Sequence, residues 1–157
     1  MNKWFILAWT SLPLFVLDVL TKALAMEHLP TSIVIIPNFF QLTYVQNKGA
    51  AFGLFAHSDD TFRIAFFTLI PIIALATIFY VFHKLTDKEK DLAVAYSAIF
   101  AGAIGNILDR IRFGFVIDFL DFHWHDWHFP AFNVADSAIC LGVLWLSSAP
   151  YFKKLQS

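Results

Sequence analysis

The run Ile64-Ala65-Phe66-Phe67-Thr68-Leu69-Ile70-Pro71-Ile72-Ile73-Ala74-Leu75-Ala76-Thr77-Ile78-Phe79-Tyr80-Val81-Phe82 decides the fold. Its 19 residues carry no charge, and a helix rising about 1.5 Å per residue covers roughly the 30 Å hydrocarbon core of a bilayer in that length. Pro71 should kink this helix rather than break it, because neighbouring helices satisfy the freed carbonyl. Three more stretches of crossing length surround it, at about residues 4–26 (interrupted by Asp18 and Lys22), 92–108 and 132–152. The expected fold is an α-helical polytopic membrane protein with four transmembrane helices, in one membrane-embedded domain over residues 1–157.

Composition agrees. Hydrophobic residues make up 59% of the 157 and charged residues 15%, against roughly 45–50% and about 25% in soluble domains. A soluble chain of this size cannot hide so much apolar surface. The formal charge of −1 provides no basic stripe, so nucleic acid is not an expected partner. Cys140 is the single cysteine and lies in an apolar run, which excludes a disulfide framework and predicts a small buried hydrophobe. Lys3, the apolar run after it and Ala23-Leu24-Ala25 resemble a cleavable leader, but Asp18 and Lys22 interrupt the region before that triplet. The first segment is therefore expected to stay as a span.

Orientation follows from basic residues outside the spans. Lys3, Lys84, Lys88, Lys90, Lys153 and Lys154 fall on one side; Lys48, Arg63, Arg110 and Arg112 fall on the other. Both termini are expected in the cytoplasm. Within the first outer connection, residues 32–36 and 39–45 are rich in β-branched and aromatic residues and flank Pro37-Asn38, which predicts two short strands around a turn. With Phe39, Phe40, Phe52 and Phe55 nearby, this reads as a segment of the first outer loop lying on the membrane surface.

In that orientation the costly polar groups gather at the outer ends of the spans, which points to function. Asn106, Asp109 and Arg110 stand at i, i+3 and i+4 near the end of the third helix; Asn133 and Asp136 share a face at the start of the fourth. Ala98, Gly102, Gly105 and Asn106 form a stripe of small residues that favours close contact between the third and fourth helices. Asp18 and Lys22 at i, i+4 read equally as a structural ion pair or a functional one. Asp109 beside Arg110 reads as a positioning element, since a paired carboxylate stays ionised. Asp136 alone reads equally as a helix-capping charge. Asp118 and Asp121 have similar surroundings in sequence, and spacing does not choose between them. His123, His125 and His128, set among Trp124 and Trp127, read as a membrane-surface anchor, so no metal and no cofactor are expected.

Five motifs in order resemble the bacterial lipoprotein signal peptidases (signal peptidase II): Asp18-Val19-Leu20-Thr21-Lys22, Asn47-Lys48-Gly49-Ala50-Ala51-Phe52, Gly102-Ala103-Ile104-Gly105-Asn106-Ile107-Leu108-Asp109-Arg110, Gly114-Phe115-Val116-Ile117-Asp118-Phe119 and Phe132-Asn133-Val134-Ala135-Asp136. One departure is Ala101-Gly102, where the family often has a Gly-Gly pair. The resemblance implies a catalytic pair at Asp118 and Asp136, with Asp109 the second choice, and a supporting shell at Asn47, Asn106, Arg110 and Asn133. It implies an aspartic endopeptidase of the bacterial inner membrane, active near the outer leaflet, with a small extracytoplasmic β-platform in the first outer loop that matches the two strands read above. Its implied substrate is a diacylglyceryl-modified prolipoprotein cut immediately before the modified cysteine. The lipid bilayer is the other expected partner, and the chain is expected to act as a monomer. A small proton-coupled transporter is the rival reading; it predicts polar groups in both membrane halves, whereas the inner halves here are nearly free of charge. Presenilin-type proteases carry Gly-x-Gly-Asp, which Phe115-Val116-Ile117-Asp118 does not match.

Overall fold

A computed structural model describes residues 1–49 and 60–155. The expectations for Phe52, Gly53 and Phe55, and the Ala50-Ala51-Phe52 end of the second motif, lie outside the described residues, as do the side chains of Arg63, Ile64, Phe152, Lys153 and Lys154. The apolar runs form four helices: α1 (Lys3–His28), α2 (Asp60–Lys84), α3 (Lys90–Phe113) and α4 (Val134–Leu155). Asn2 caps α1 by accepting from Trp4 N at 2.9 Å. Gly114 ends α3 in the left-handed region (φ 79°), its N–H returning to Arg110 O, a conformation glycine adopts without strain. Pro71 lies inside a continuous α2. α1, α3 and residues Ala65–Lys84 of α2 are long and apolar enough to cross a membrane; in α4 the described apolar stretch is Val134–Ala149.

α3 is the central helix. Half of its apolar window is buried, against 11% in α1 and 6% in α2. Its small residues make this possible. A Cβ on Gly102 would strike the main-chain oxygen of Ala135 in α4, and the facing Gly142 lies against Ile99 and Ala95. Gly105 serves a different neighbour, because a Cβ there would strike the Asp18 carboxylate of α1. The small stripe therefore admits two helices, where the sequence indicated one. Large apolar residues such as Trp9, Leu12, Ile73 and Leu141 point outward and are exposed, as lipid-facing surface is. Cys140 also points outward, correcting the expectation that it is buried: it is apolar in surroundings but lies off the α3 contact.

The strands are β1 (Ile33–Ile36), β2 (Phe40–Asn47), β3 (Val116–Trp124) and β4 (Trp127–His128), antiparallel in the order β1-β2-β3-β4. The β1–β2 hairpin turns at Pro37-Asn38 as expected, with Asn38 at φ 59°. The sheet is not confined to the first outer loop, however. β3 and β4 come from the connection between α3 and α4, a stretch whose aspartates and histidines obscure its strand character. Ala25 and Leu29 at the end of α1 pack under Ile117 and Phe119, seating the sheet on the helix ends. Opposite pairings place Val45 against Asp118 and Asn47 against Val116, with an irregularity between Leu42 and Val45. Phe132 bridges to Leu120, which brings the entry of α4 alongside β3.

The other end of the bundle is closed by Lys3, whose Nζ donates to the carbonyls of His83 and Leu85 at 2.6 Å each. The start of α1 and the α2–α3 turn, with Lys84, Lys88 and Lys90, therefore share one end. The polar motifs share the opposite one.

Candidate active site

The first turn of α4 has main-chain N–H groups with no partner inside the helix, and Asn133 and Asp136 satisfy two of them reciprocally. Asn133 Oδ1 accepts from Asp136 N at 2.8 Å, and Asp136 Oδ2 accepts from Asn133 N at 3.2 Å, the geometry of a capping box. A third N–H, that of Ala135, donates to Asp18 Oδ1 at 2.9 Å. The capping role that the sequence allowed for Asp136 is thus present, and it leaves Oδ1 available. That atom accepts from Asn106 Nδ2 of α3 at 2.7 Å.

Asp118 approaches from β3. Its Oδ2 accepts from Asn47 Nδ2 at 2.9 Å and its Oδ1 from Asn133 Nδ2 at 2.7 Å. Asn133 is fully buried, and its amide also reaches Ile117 O and Asn106 Oδ1. One asparagine therefore touches both carboxylates. Asp118 is 1% exposed, and this burial, reinforced by the negative charge of Asp136, pushes its carboxyl up to about 6; the amides of Asn47 and Asn133 and the charge of Lys22 oppose the rise. Asp136, Arg110 and Asn47 are partly exposed, so the pair is reached from their side.

Beneath the pair lies a buried cation. Lys22 Nζ sits 2.9 Å from each of Asp18 Oδ2, Asp109 Oδ2 and Asn106 Oδ1, pairing with the two carboxylates and donating to the amide oxygen. Asp109 is paired with this lysine, not with its sequence neighbour Arg110 as expected, and also accepts from Ile117 N at 3.2 Å. Arg110 Nη1 donates to Asn106 O at 3.3 Å, within the field of Asp136, Asp118 and Asp109. Because Asn106 Oδ1 accepts from Lys22, its Nδ2 must face Asp136. The ion pair of Asp18 and Lys22 is present, and its lysine sets the orientation of an amide at the carboxylate pair, a link that an i, i+4 spacing does not reveal.

Asp121 separates from Asp118 on structural grounds. Successive side chains of a strand alternate faces, so residues three apart in β3 point oppositely. Asp121 instead accepts from Gln41 Nε2 at 2.6 Å and contacts His128 Nδ1 at 2.9 Å. Burial raises its carboxyl, but the Gln41 and His128 hydrogen bonds outweigh that and leave it below the usual range. Every site residue expected from sequence except Asp121 is gathered at one place: Asp118, Asp136, Asn47, Asn106, Asp109, Arg110, Asn133, Asp18 and Lys22.

Comparison with known proteins agrees in extent. The family model described as "Signal peptidase (SPase) II" matches residues 10–152. The lipoprotein signal peptidase of Geobacter metallireducens is 48% identical over 134 residues, 84% of this chain and 82% of that protein. That of Maridesulfovibrio salexigens is 42% identical over 156 residues, 98% of this chain and all of that protein. A solved bacterial membrane enzyme superposes with a TM-score of 0.77 at 34% identity, covering 94% of this chain and 90% of its own. A second does so with a TM-score of 0.77 at 31% identity, covering 97% and 88%. The chain belongs to the signal peptidase II family.

Proposed function

We propose that Asp118 and Asp136 are the catalytic pair of an aspartic endopeptidase, with which the chain removes signal peptides from bacterial prolipoproteins. The reaction is supported by the family and by relatives that are lipoprotein signal peptidases over most of their length. The assignment of the pair is carried by one observation, the simultaneous contact of Asn133 with both carboxylates.

Two carboxyls beside each other at a poorly solvated boundary disfavour double ionisation and share one proton. The ionised member takes a proton from water as it attacks the scissile carbonyl, and the protonated member donates to the carbonyl oxygen. The pair titrates as a unit. Asn47, Asn106 and Asn133 hold the carboxylates in register, and Arg110, partly exposed beside them, orients the substrate main chain. Lys22, between Asp18 and Asp109, fixes the shell from below.

The substrate in this reading is a diacylglyceryl-modified prolipoprotein, cut immediately before the modified cysteine. Residues 1–157 act as a single domain and a monomer in the bacterial inner membrane. Four helices span the membrane, α4 being the fourth; both termini are cytoplasmic and the sheet lies at the outer surface. The lysine cluster at the Lys3 end supports this orientation. Incubating the purified protein in detergent with modified and unmodified prolipoprotein tests the reaction. Release of the signal peptide from the modified form is expected; a folded protein that cleaves neither form would overturn the reading.

A further inference from the structure

Outside the proposed site, the β3–β4 hairpin brings another set of groups together. His123 and His128 are opposite one another in its register, with ring centroids 4.7 Å apart and planes 16° apart. Asp121, two residues before His123 on the same face of β3, contacts His128 Nδ1 with both oxygens at 2.9 Å. One ligand atom from each of Asp121, His123 and His128 lies within 4.8 Å of the others. We propose that these three side chains bind a first-row divalent cation of the zinc class on the outer sheet.

The donor set fits. Two imidazoles and a carboxylate are ligands that zinc accepts, leaving a fourth position to water. At ligand distances of about 2.0–2.1 Å, two donors on a tetrahedral ion stand roughly 3.3–3.4 Å apart. The 2.9 Å between Asp121 and His128 is already near that value, and side-chain rotation of His123 closes the rest. A second observation is independent of the spacing: His123 Nδ1 is buried and has no hydrogen-bond partner among the described residues. Gln41 supplies the outer contact that metal-binding carboxylates have, donating to Asp121 Oδ2 at 2.6 Å and leaving Oδ1 to the cation. The side chain of His128 is 48% exposed, so an ion enters from water. His125 occupies the turn at φ 55° and takes no part. The expectation of no metal treated the histidines as a linear run; folding across the hairpin selects two of them and adds Asp121.

Asp118 lies on the opposite face of β3, so the cation clamps β4 to the sheet without joining the carboxylate pair. The test uses full-length protein in detergent, purified without a histidine tag and dialysed against chelator. Cobalt(II) is titrated while its visible absorption is followed, and zinc is then added to displace it. The expected result is saturable binding of one cation per chain, lost in His123→Gln and His128→Gln and retained in His125→Gln and Asp118→Asn. Gln41→Leu should weaken binding by roughly tenfold. Zinc should also raise the thermal midpoint of the wild type and not that of His128→Gln, a substitution at a half-exposed position. Wild-type binding equal to that of His123→Gln/His128→Gln, or its loss in Asp118→Asn, would overturn the proposal.

Discussion

The side-chain amide of Asn133 donates to Asp118 Oδ1 at 2.7 Å, while its main-chain N–H donates to Asp136 Oδ2 at 3.2 Å. The two contacts do different work. The main-chain contact belongs to the cap of α4, and the side-chain contact joins that helix to β3. Asn133→Ser keeps an oxygen for the cap and removes the reach to Asp118. Its expected cost is about 1–3 kcal/mol in stability, because buried acceptors lose the amide donor, with a fall in kcat of at least roughly a hundredfold, the scale on which misplaced catalytic groups act. Thermal unfolding and cleavage rates measured on the same preparation check this. Equal losses in both would make Asn133 merely structural.

Lys22 is the shared cation of Asp18 and Asp109. Removing it leaves two buried carboxylates unpaired, a change that costs about 3–5 kcal/mol in comparable sites. Lys22→Met should therefore unfold at a much lower temperature than Asp109→Asn, which leaves Asp18 to pair the lysine. Differential scanning fluorimetry in detergent separates the two. Similar midpoints would show that the ion pairs contribute little.

The close approach of helices at Gly105 and Gly102 has a directional consequence. Gly105→Ala pushes a methyl into the Asp18 carboxylate and Gly102→Ala pushes one into the Ala135 main chain. Each should cost about 1–3 kcal/mol by overpacking, and Gly105→Ala should also lower activity by displacing Asp18 from the α4 cap. Ala101→Gly, which restores the pair of glycines often seen in the family, should cost only about 1 kcal/mol, through helix propensity. Midpoints of the three variants in one detergent give the comparison.

The pH dependence has a defined sign. In the proposed mechanism activity requires one proton on the carboxylate pair, and the raised Asp118 loses its proton as pH rises. Asn47 donates to Asp118 Oδ2 and so favours the ionised form. Asn47→Ala removes that donor, raises the carboxyl further from its value of about 6, and should move the alkaline limb of kcat to higher pH. A limb that stays in place or moves down would contradict the hydrogen bond's role.

The helices and the β1–β2 hairpin were legible because each has its own signal, long apolar runs and β-branched residues around Pro37-Asn38. β3 was not, because Asp118, Asp121 and the histidines mask an otherwise aromatic and branched strand. Without the strand there is no alternation, and without alternation Asp118 and Asp121 are equivalent. The partner of Asp109 was hidden for a related reason. Arg110 is adjacent in sequence but turns towards the carboxylate pair, while Lys22 arrives from another helix. The stripe of small residues was visible, yet only the packed structure assigns Gly102 to α4 and Gly105 to α1. Sequence thus located the members of the site, and tertiary contact assigned their partners.

The most direct test of the proposed catalytic pair is signal-peptide release from diacylglyceryl-modified prolipoprotein by Asp118→Asn, Asp136→Asn and Asp109→Asn, each confirmed to be folded. The account predicts no detectable cleavage by the first two and residual cleavage by Asp109→Asn, whose carboxylate is engaged with Lys22. Wild-type rates in Asp118→Asn, with cleavage lost in Asp109→Asn, would contradict it and move the second catalytic carboxylate to α3.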